Sequence, residues 1–170
     1  MRDNGGGNSA YADYLMSHFV DSVIPKGEWR SRKYIAAHAS WSMPQEWHVV
    51  NDEKLYPISD KNIYDGPICV LISERTFSSA ENFCALFKNA KRGKIIGVAT
   101  GGSTGNPIII DLGYDVRCAI CTKEDFLSDG TPFVGIGILP DVEVKETIES
   151  FLAEKDIVLE RAIEEVRRTF

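Results

Sequence analysis

A buried strand followed at once by an amphipathic helix, with two serines at the junction, is the strongest constraint in this sequence. Residues 67–72 form a short apolar run rich in β-branched side chains, which predicts a strand covered on both faces. Beyond the serines, apolar side chains recur at helical spacing, namely Ala80, Phe83, Cys84 and Phe87. That spacing predicts a helix with one buried face. The alternation of strands and helices predicts an α/β fold.

The serine pair, Ser78 and Ser79, lies where the strand ends and the helix begins. At such a junction a hydroxyl is close to solvent, and the unpaired N–H groups and dipole of the helix favour negative charge. A serine nucleophile needs this environment because its tetrahedral intermediate carries an oxyanion. The alternative interpretation is an ordinary N-cap, with Ser78 or Ser79 as the cap and Glu81 in the first turn.

A glycine triplet at residues 5–7 precedes a second helical pattern, for which Asn8 or Ser9 is the predicted N-cap. Consecutive glycines allow the backbone to turn its N–H groups toward an anion or an oxyanion. A glycine triplet alone is equally typical of a flexible leader. Together with the serine junction, it indicates backbone donors for an oxyanion.

Two further elements are predicted with definite ends. Residues 108–112 and 114–121 predict a hairpin that turns at Gly113. A terminal helix is predicted from Ile157 onward, with Asp156 as its N-cap. The four cysteines, at 69, 84, 118 and 121, are predicted to be buried structural thiols, because residues three apart on a strand cannot bind one metal ion together.

Four short motifs follow one another along the chain. They are Arg-x-Asn-x-Gly-Gly at 2–7, Ser-Ser-Ala-Glu at 78–81, Gly-Val-Ala-Thr-Gly-Gly at 97–102 and Gly-Ile-Leu-Pro-Asp at 137–141. In order and spacing they resemble the motifs of the C-terminal processing peptidases and the related tricorn-core serine peptidases. The resemblance extends over nearly the whole chain, from about residue 2 to residue 145.

The resemblance implies a ClpP/crotonase-like superhelix of β-sheet and helices, and a serine endopeptidase core that acts on peptides or unfolded proteins. Ser78 would be the nucleophile, because the family's nucleophile lies three residues before the motif glutamate. Gly6, with Gly7 as second choice, and Ser79 would supply the N–H donors of the oxyanion hole. The resemblance implies no cofactor and no metal ion, and it favours the cell envelope or secretion as the location.

Departures from the family pattern concern the general base. Ser103 stands where the processing peptidases have their lysine, and a hydroxyl cannot replace an amine as a base at neutral pH. Val134 stands where the tricorn-like branch has a glutamate, and the histidine of that branch would precede Met1. His38 and His48, within the aromatic-rich segment 25–66, and Lys123 are the remaining candidates for the base, although a single histidine is more often structural.

The resemblance also predicts which part of the catalytic core is present. Residues 1–170 are expected to form a single domain, the C-terminal portion of the core, without its first strands and without a PDZ domain. A sheet that lacks those strands exposes an unpaired edge, which predicts self-association into a homo-oligomer.

Composition excludes some classes of partner. A net charge of −6 and an isoelectric point near 5.1 argue against nucleic acid and anionic membranes. No apolar run is long enough to span a bilayer. Two other functions stay open: a non-catalytic peptide- or ligand-binding module on the same scaffold, and an acyl-CoA enzyme of the crotonase type, which lacks the Ser-x-x-Glu turn.

Overall fold

Helices and strands alternate along the chain in the computed structural model, which describes residues 1–59 and 63–168. The helices are α1 (Ser9–Ser17), α2 (Ala36–Ser40), α3 (Ser79–Asn89), α4 (Ile148–Leu152) and α5 (Ile157–Arg167). The strands are β1 (Ile24–Pro25), β2 (Trp29–Arg32), β3 (Trp47–Val50), β4 (Lys54–Leu55), β5 (Cys69–Ile72), β6 (Lys94–Gly97), β7 (Ile108–Asp111), β8 (Arg117–Ile120), β9 (Lys123–Asp125) and β10 (Val142–Glu143). This order confirms the predicted α/β fold class.

A parallel sheet of order β10-β6-β5 forms the centre of the fold, and helices cover both of its faces. Because side chains alternate along a strand, Val70 and Ile72 of β5 pack into the core that includes α1 and α3. Leu71 points to the opposite face and packs against Val158 and Ala162 of α5. Burial on both faces explains why residues 67–72 are almost continuously apolar.

Helix α3 is fixed by the larger of the two cores. Phe87 is fully buried, and its ring stacks on that of Phe83 with 6.2 Å between centroids. Met16 of α1 is buried in the same core. Burying side chains of this size contributes roughly 1.5–3 kcal/mol each. This packing therefore fixes the position of the N-terminus of α3, where the serine pair lies.

The segment between α1 and β5 folds into small antiparallel sheets. β1 pairs with β4, and β2 pairs with β3 on one side and with β9 on the other. In that second sheet Trp29 lies opposite Asp125, and Ser31 lies opposite Lys123. The aromatic-rich segment therefore supplies two strands of this sheet, β2 and β3, and β9 supplies the third.

The predicted hairpin at 108–121 is confirmed, with a turn over residues 112–116 and strands that pair only with each other among the described residues. The cysteine prediction holds for Cys84, where burial raises the thiol pKa to about 12. It is wrong for Cys121, which is exposed. Cys121 lies beyond the end of β8, at the base of the hairpin, where no core covers it.

Two N-caps predicted from sequence are confirmed. Asn8 accepts a hydrogen bond from the Ala10 N–H at 2.9 Å, and Asp156 accepts one from the Leu159 N–H at 2.9 Å. Asp156 also forms a bidentate ion pair with Arg2, in which both N···O distances are 2.7 Å. This pair joins the start of the chain to the last helix. Within residues 1–59 and 63–168, no helix has the length and apolar character needed to cross a membrane.

The Arg2–Asp156 pair predicts a defined pH dependence of stability. Hydrogen bonding to Arg2 lowers the pKa of Asp156 to about 2, below its value in the unfolded chain, which is near 3.9. The stabilisation is therefore present above pH ~4 and is lost as the pH falls toward 2. Urea unfolding at pH 7 and at pH 3 is expected to show a larger loss for the wild type than for Asp156→Asn, which keeps the capping oxygen.

Asp156→Ala removes the cap as well, and is expected to cost about 1 kcal/mol more than Asp156→Asn at pH 7. Glu154→Gln, at an exposed neighbouring position, is the control and should behave as the wild type at both pH values. An Asp156→Asn variant with the same acid sensitivity as the wild type would contradict the assignment.

Candidate active site

Ser78 lies in a strained backbone conformation between β5 and α3. Its φ of 52° and ψ of −123° are unusual for a residue with a Cβ and cost on the order of 1–3 kcal/mol. The Ser78 carbonyl accepts the Glu81 N–H at 2.8 Å, which starts the helix. Its side chain makes no capping hydrogen bond. The structure therefore does not use Ser78 as an ordinary side-chain N-cap.

The two serines at the junction have different surroundings. The Ser79 hydroxyl is buried, donates to the Gly7 carbonyl at 2.7 Å and lies 3.2 Å from the Ser9 hydroxyl. The half-buried Ser78 lines a cavity, and its hydroxyl makes no hydrogen bond with any described residue. Of the two, Ser78 has the hydroxyl that is available for chemistry.

The glycine triplet lies directly against the serine junction. A Cβ at Gly6 would lie 2.7 Å from the Phe77 carbonyl oxygen and 2.9 Å from the Ser79 nitrogen, so only glycine permits this approach. The Gly6 N–H donates to the Asn4 side chain at 2.9 Å. By contrast, the N–H groups of Gly7 and Ser79 have no hydrogen-bond partner within the described parts of the chain. Gly7, the second choice from sequence, thus has the N–H that is unpaired.

Glu81 is fully buried below the serine junction and accepts four hydrogen bonds. Its Oε1 accepts from the Thr100 hydroxyl at 2.6 Å and the Gly102 N–H at 2.7 Å. Its Oε2 accepts from the Ser103 N–H at 2.9 Å and the Thr104 hydroxyl at 2.7 Å. Hydrogen bonds to a carboxylate are shorter and stronger than neutral ones, so Glu81 fixes the glycine-rich loop to α3.

The Glu81 contacts bring the sequence motifs together. The Thr100 hydroxyl, besides donating to Glu81, accepts the Ile138 N–H at 2.6 Å from the last motif. The Thr104 hydroxyl also lies 3.2 Å from the Ser78 carbonyl oxygen. Sequence analysis placed Glu81 in the first helical turn and in the Ser-x-x-Glu motif, but it did not predict these contacts. The sequence feature that pointed to them was the position of Glu81 three residues after Ser78, which places its side chain beneath the serine junction.

The cavity beside Ser78 has a volume of about 850 Å³ and a polar, charged wall. Lys123 and Asp125 of β9 line it as an ion pair with 2.6 Å between Nζ and Oδ1. Burial raises the pKa of Asp125, and its Oδ2 has no hydrogen-bond partner among the residues that the structure describes. Lys26 and Asp13 form a second pair at 2.5 Å on the same wall.

The three candidates for the base lie in different places. Lys123 lines the cavity, with Nζ 5.3 Å from the centre of the Trp29 ring. His48 packs against Trp29 from β3, and His38 lies on α2 with Nδ1 3.7 Å from a Glu46 oxygen; neither histidine lines the cavity. Among the described residues, no amine or imidazole hydrogen-bonds the Ser78 hydroxyl.

Comparison with known proteins gives a family and a fold. Residues 1–144 match the family model described as peptidase family S41. A carboxy-terminal-processing protease from Bartonella bacilliformis is 30% identical over 108 residues, 64% of this chain and 24% of that protein. This chain therefore spans about a quarter of the length of that relative.

Solved structures share the fold at lower identity. A protein from Parabacteroides merdae, described as a candidate peptidase, superposes with a TM-score of 0.80 at 24% identity over 98% of this chain and 50% of its own. Mature CPAF superposes with a TM-score of 0.69 at 18% identity over 86% of this chain and 38% of its own. The fold is thus that of the S41 peptidases, as the motifs predicted.

A conservative substitution at Glu81 is predicted to lower the free energy of unfolding substantially. Glu81→Gln keeps the volume but places an NH₂ group against two of the four donors, so at least one hydrogen bond becomes a donor–donor contact. We expect a loss of about 3 kcal/mol in the free energy of unfolding, measured by urea denaturation. Glu74→Gln, at an exposed site on the loop between β5 and α3, is the control, and its free energy of unfolding should stay within about 0.5 kcal/mol of the wild type. Equal effects of the two changes would contradict the role assigned to Glu81.

Proposed function

The chain belongs to peptidase family S41, and we propose that Ser78 is the nucleophile with which it hydrolyses peptide bonds. One observation carries the proposal. Ser78 is held in a strained conformation at the N-terminus of α3 with its hydroxyl unpaired, beside a cavity of sufficient size for several residues of a peptide. Strain of this kind occurs where the surrounding structure enforces a functional geometry.

In the proposed reaction, the Ser78 Oγ attacks the carbonyl carbon of the substrate while its proton passes to a base. The carbonyl oxygen becomes an oxyanion, which the N–H groups of Ser79 and Gly7 would bind, with Gly6 as the other candidate. The positive end of the α3 dipole adds to this stabilisation. The C–N bond then breaks, the amine leaves with a proton, and water hydrolyses the acyl-enzyme.

The proposed substrate is a peptide or an unfolded protein segment. The relative from Bartonella bacilliformis is named a carboxy-terminal-processing protease, and we extend to this chain a preference for the C-terminal regions of proteins. Of the three candidates for the base, Lys123 is favoured because it shares the cavity with Ser78. Lys123 can accept a proton only as a neutral amine, so its own proton must first pass to another group, such as the Asp125 carboxylate.

The second candidate function is a non-catalytic peptide-binding module. It is favoured by one specific observation, which is that the Ser78 hydroxyl has no base within hydrogen-bonding distance among the described residues. Ser103 and Val134, at the two positions where the family has catalytic partners, carry no group that accepts a proton at neutral pH.

Covalent labelling separates Ser78 from Ser79. A fluorophosphonate or activated-ester probe is expected to modify Ser78, because its hydroxyl is the unpaired one. Ser78→Ala should abolish the modification, and Ser79→Ala, the matched control, should retain it. Peptide mapping by mass spectrometry gives the site. Modification that survives Ser78→Ala, or that appears on Ser79, would rule out the assigned nucleophile.

Cleavage rates of the chain and its variants test which residue acts as the general base. We expect this chain to cleave unfolded protein poorly, because lack of a positioned base typically costs about 10²–10⁴-fold. Any residual Ser78-dependent cleavage should be lost in Lys123→Ala and retained in His38→Ala and His48→Ala. Lys54→Ala, at an exposed position on β4, controls for loss of charge. Cleavage that depends on either histidine but not on Lys123 would reassign the base.

A further inference from the structure

The hairpin of β7 and β8 exposes an unusual amount of apolar surface. The exposed side chains are Ile108, Ile109, Ile110, Leu112, Tyr114, Val116 and Ile120. Because neighbouring residues of a strand point to opposite faces, the three consecutive isoleucines of β7 make both faces of the hairpin apolar. A two-stranded hairpin is marginally stable alone in water, and contiguous exposed apolar surface of this kind marks a binding site.

Strand β7 also has an unprotected edge. It pairs with β8 on one side, and no other described strand pairs with it on the other. Its sequence, Ile-Ile-Ile-Asp, contains no lysine, arginine or proline, the residues that natural proteins place on an edge to prevent strand addition. The outward N–H and C=O groups of β7 are therefore available to an added strand.

The hairpin begins and ends beside residues that line the Ser78 cavity. Gly105, Asn106 and Pro107 line the cavity immediately before β7, and Thr122 lines it after β8. The base of the hairpin is closed by the Thr122 N–H, which donates to the Gly105 carbonyl at 2.9 Å, and by the Thr122 hydroxyl, which donates to the Asn106 carbonyl at 2.7 Å. The beginning of β7 therefore lies directly beside the cavity.

One other strand beside the cavity has an open edge. β9 pairs only with β2 among the described strands, and its residues Lys123 and Asp125 line the cavity. However, its sequence is Lys-Glu-Asp, and three consecutive charges disfavour the addition of an apolar strand. The apolar edge that begins at the cavity wall is that of β7, which has three consecutive isoleucines and one charge, at Asp111.

We infer that the free edge of β7 binds the polypeptide substrate as an added β-strand beside Ser78, and that it selects extended segments rich in apolar and β-branched residues. Backbone hydrogen bonds to β7 supply the affinity, and contacts with the exposed isoleucines supply the preference. This inference rests on the proposed peptidase function and names the class of segment that the peptidase would bind.

The test measures peptide binding separately from cleavage. Ser78→Ala protein is titrated into a fluorescein-labelled peptide of alternating valine and serine, and binding is followed by fluorescence anisotropy. A second peptide of the same sequence is N-methylated at alternate residues, which removes its backbone donors on one edge. We expect N-methylation to weaken binding by about 10-fold or more, since several backbone hydrogen bonds are lost together. A third peptide with asparagine in place of valine should also bind more weakly.

A pair of variants locates the binding edge. Ile109→Lys introduces a charge on β7 at an exposed position and is expected to weaken binding of the unmethylated peptide to the level of the methylated one. Asp115→Lys, in the exposed turn of the same hairpin and outside the apolar surface, should bind as the parent does. Equal binding of the methylated and unmethylated peptides, or equal effects of the two substitutions, would overturn the inference.

Two further readouts distinguish the possible failures. Probe labelling of Ser78 in protein that shows no edge-dependent binding would leave the peptidase proposal standing and reject the β7 site. Edge-dependent binding without labelling would support the strand site and favour the non-catalytic module. Light scattering after size exclusion tests whether a second copy of the chain occupies the β7 edge instead. If Ile109→Lys dissociates a homo-oligomer and leaves peptide affinity unchanged, the edge belongs to a second copy of the chain and the inference is rejected.

Discussion

The buried carboxylate of Glu81 is the interaction on which the geometry around Ser78 depends. Moving a carboxylate out of water costs several kcal/mol unless the protein replaces the lost hydrogen bonds. Here two hydroxyls and two backbone N–H groups do so, all from residues 100–104. The loop conformation that satisfies the charge also brings the Thr104 hydroxyl within 3.2 Å of the Ser78 carbonyl oxygen. The same carboxylate thus orders the loop, the helix start and the serine turn.

The elements with local signals were predictable from sequence. The strand at residues 67–72, the helix after Ser79 and the caps Asn8 and Asp156 depend on periodicity and on side chains that bond within a few residues. The hydrogen-bond partners of Glu81, and the lack of a partner for the Gly7 N–H among the described residues, depend on how distant segments meet, so they did not follow from local periodicity. The exposure of Cys121 was missed for a related reason, since a strand pattern does not reveal where the core ends.

Residues 1–144 match a peptidase family over most of the chain, and the fold agrees with solved relatives. Ser78, the proposed nucleophile, lies at the N-terminus of α3, and the glycine triplet that would supply an oxyanion donor lies against it. Within the described parts of the chain, no amine or imidazole hydrogen-bonds the Ser78 hydroxyl to act as a proton acceptor. The Lys123–Asp125 pair on the cavity wall is the group that we propose as the source of that acceptor, and burial raises the pKa of Asp125 there.

The strained backbone of Ser78 also limits how this protein can change. A glycine at a φ of 52° would remove the clash of the Cβ, and it would be expected to raise the stability of the fold by about 1 kcal/mol or more. The same change would delete the hydroxyl. Selection for stability alone would therefore drive this position away from serine, and a lineage that keeps serine there accepts a less stable fold in exchange for the side chain.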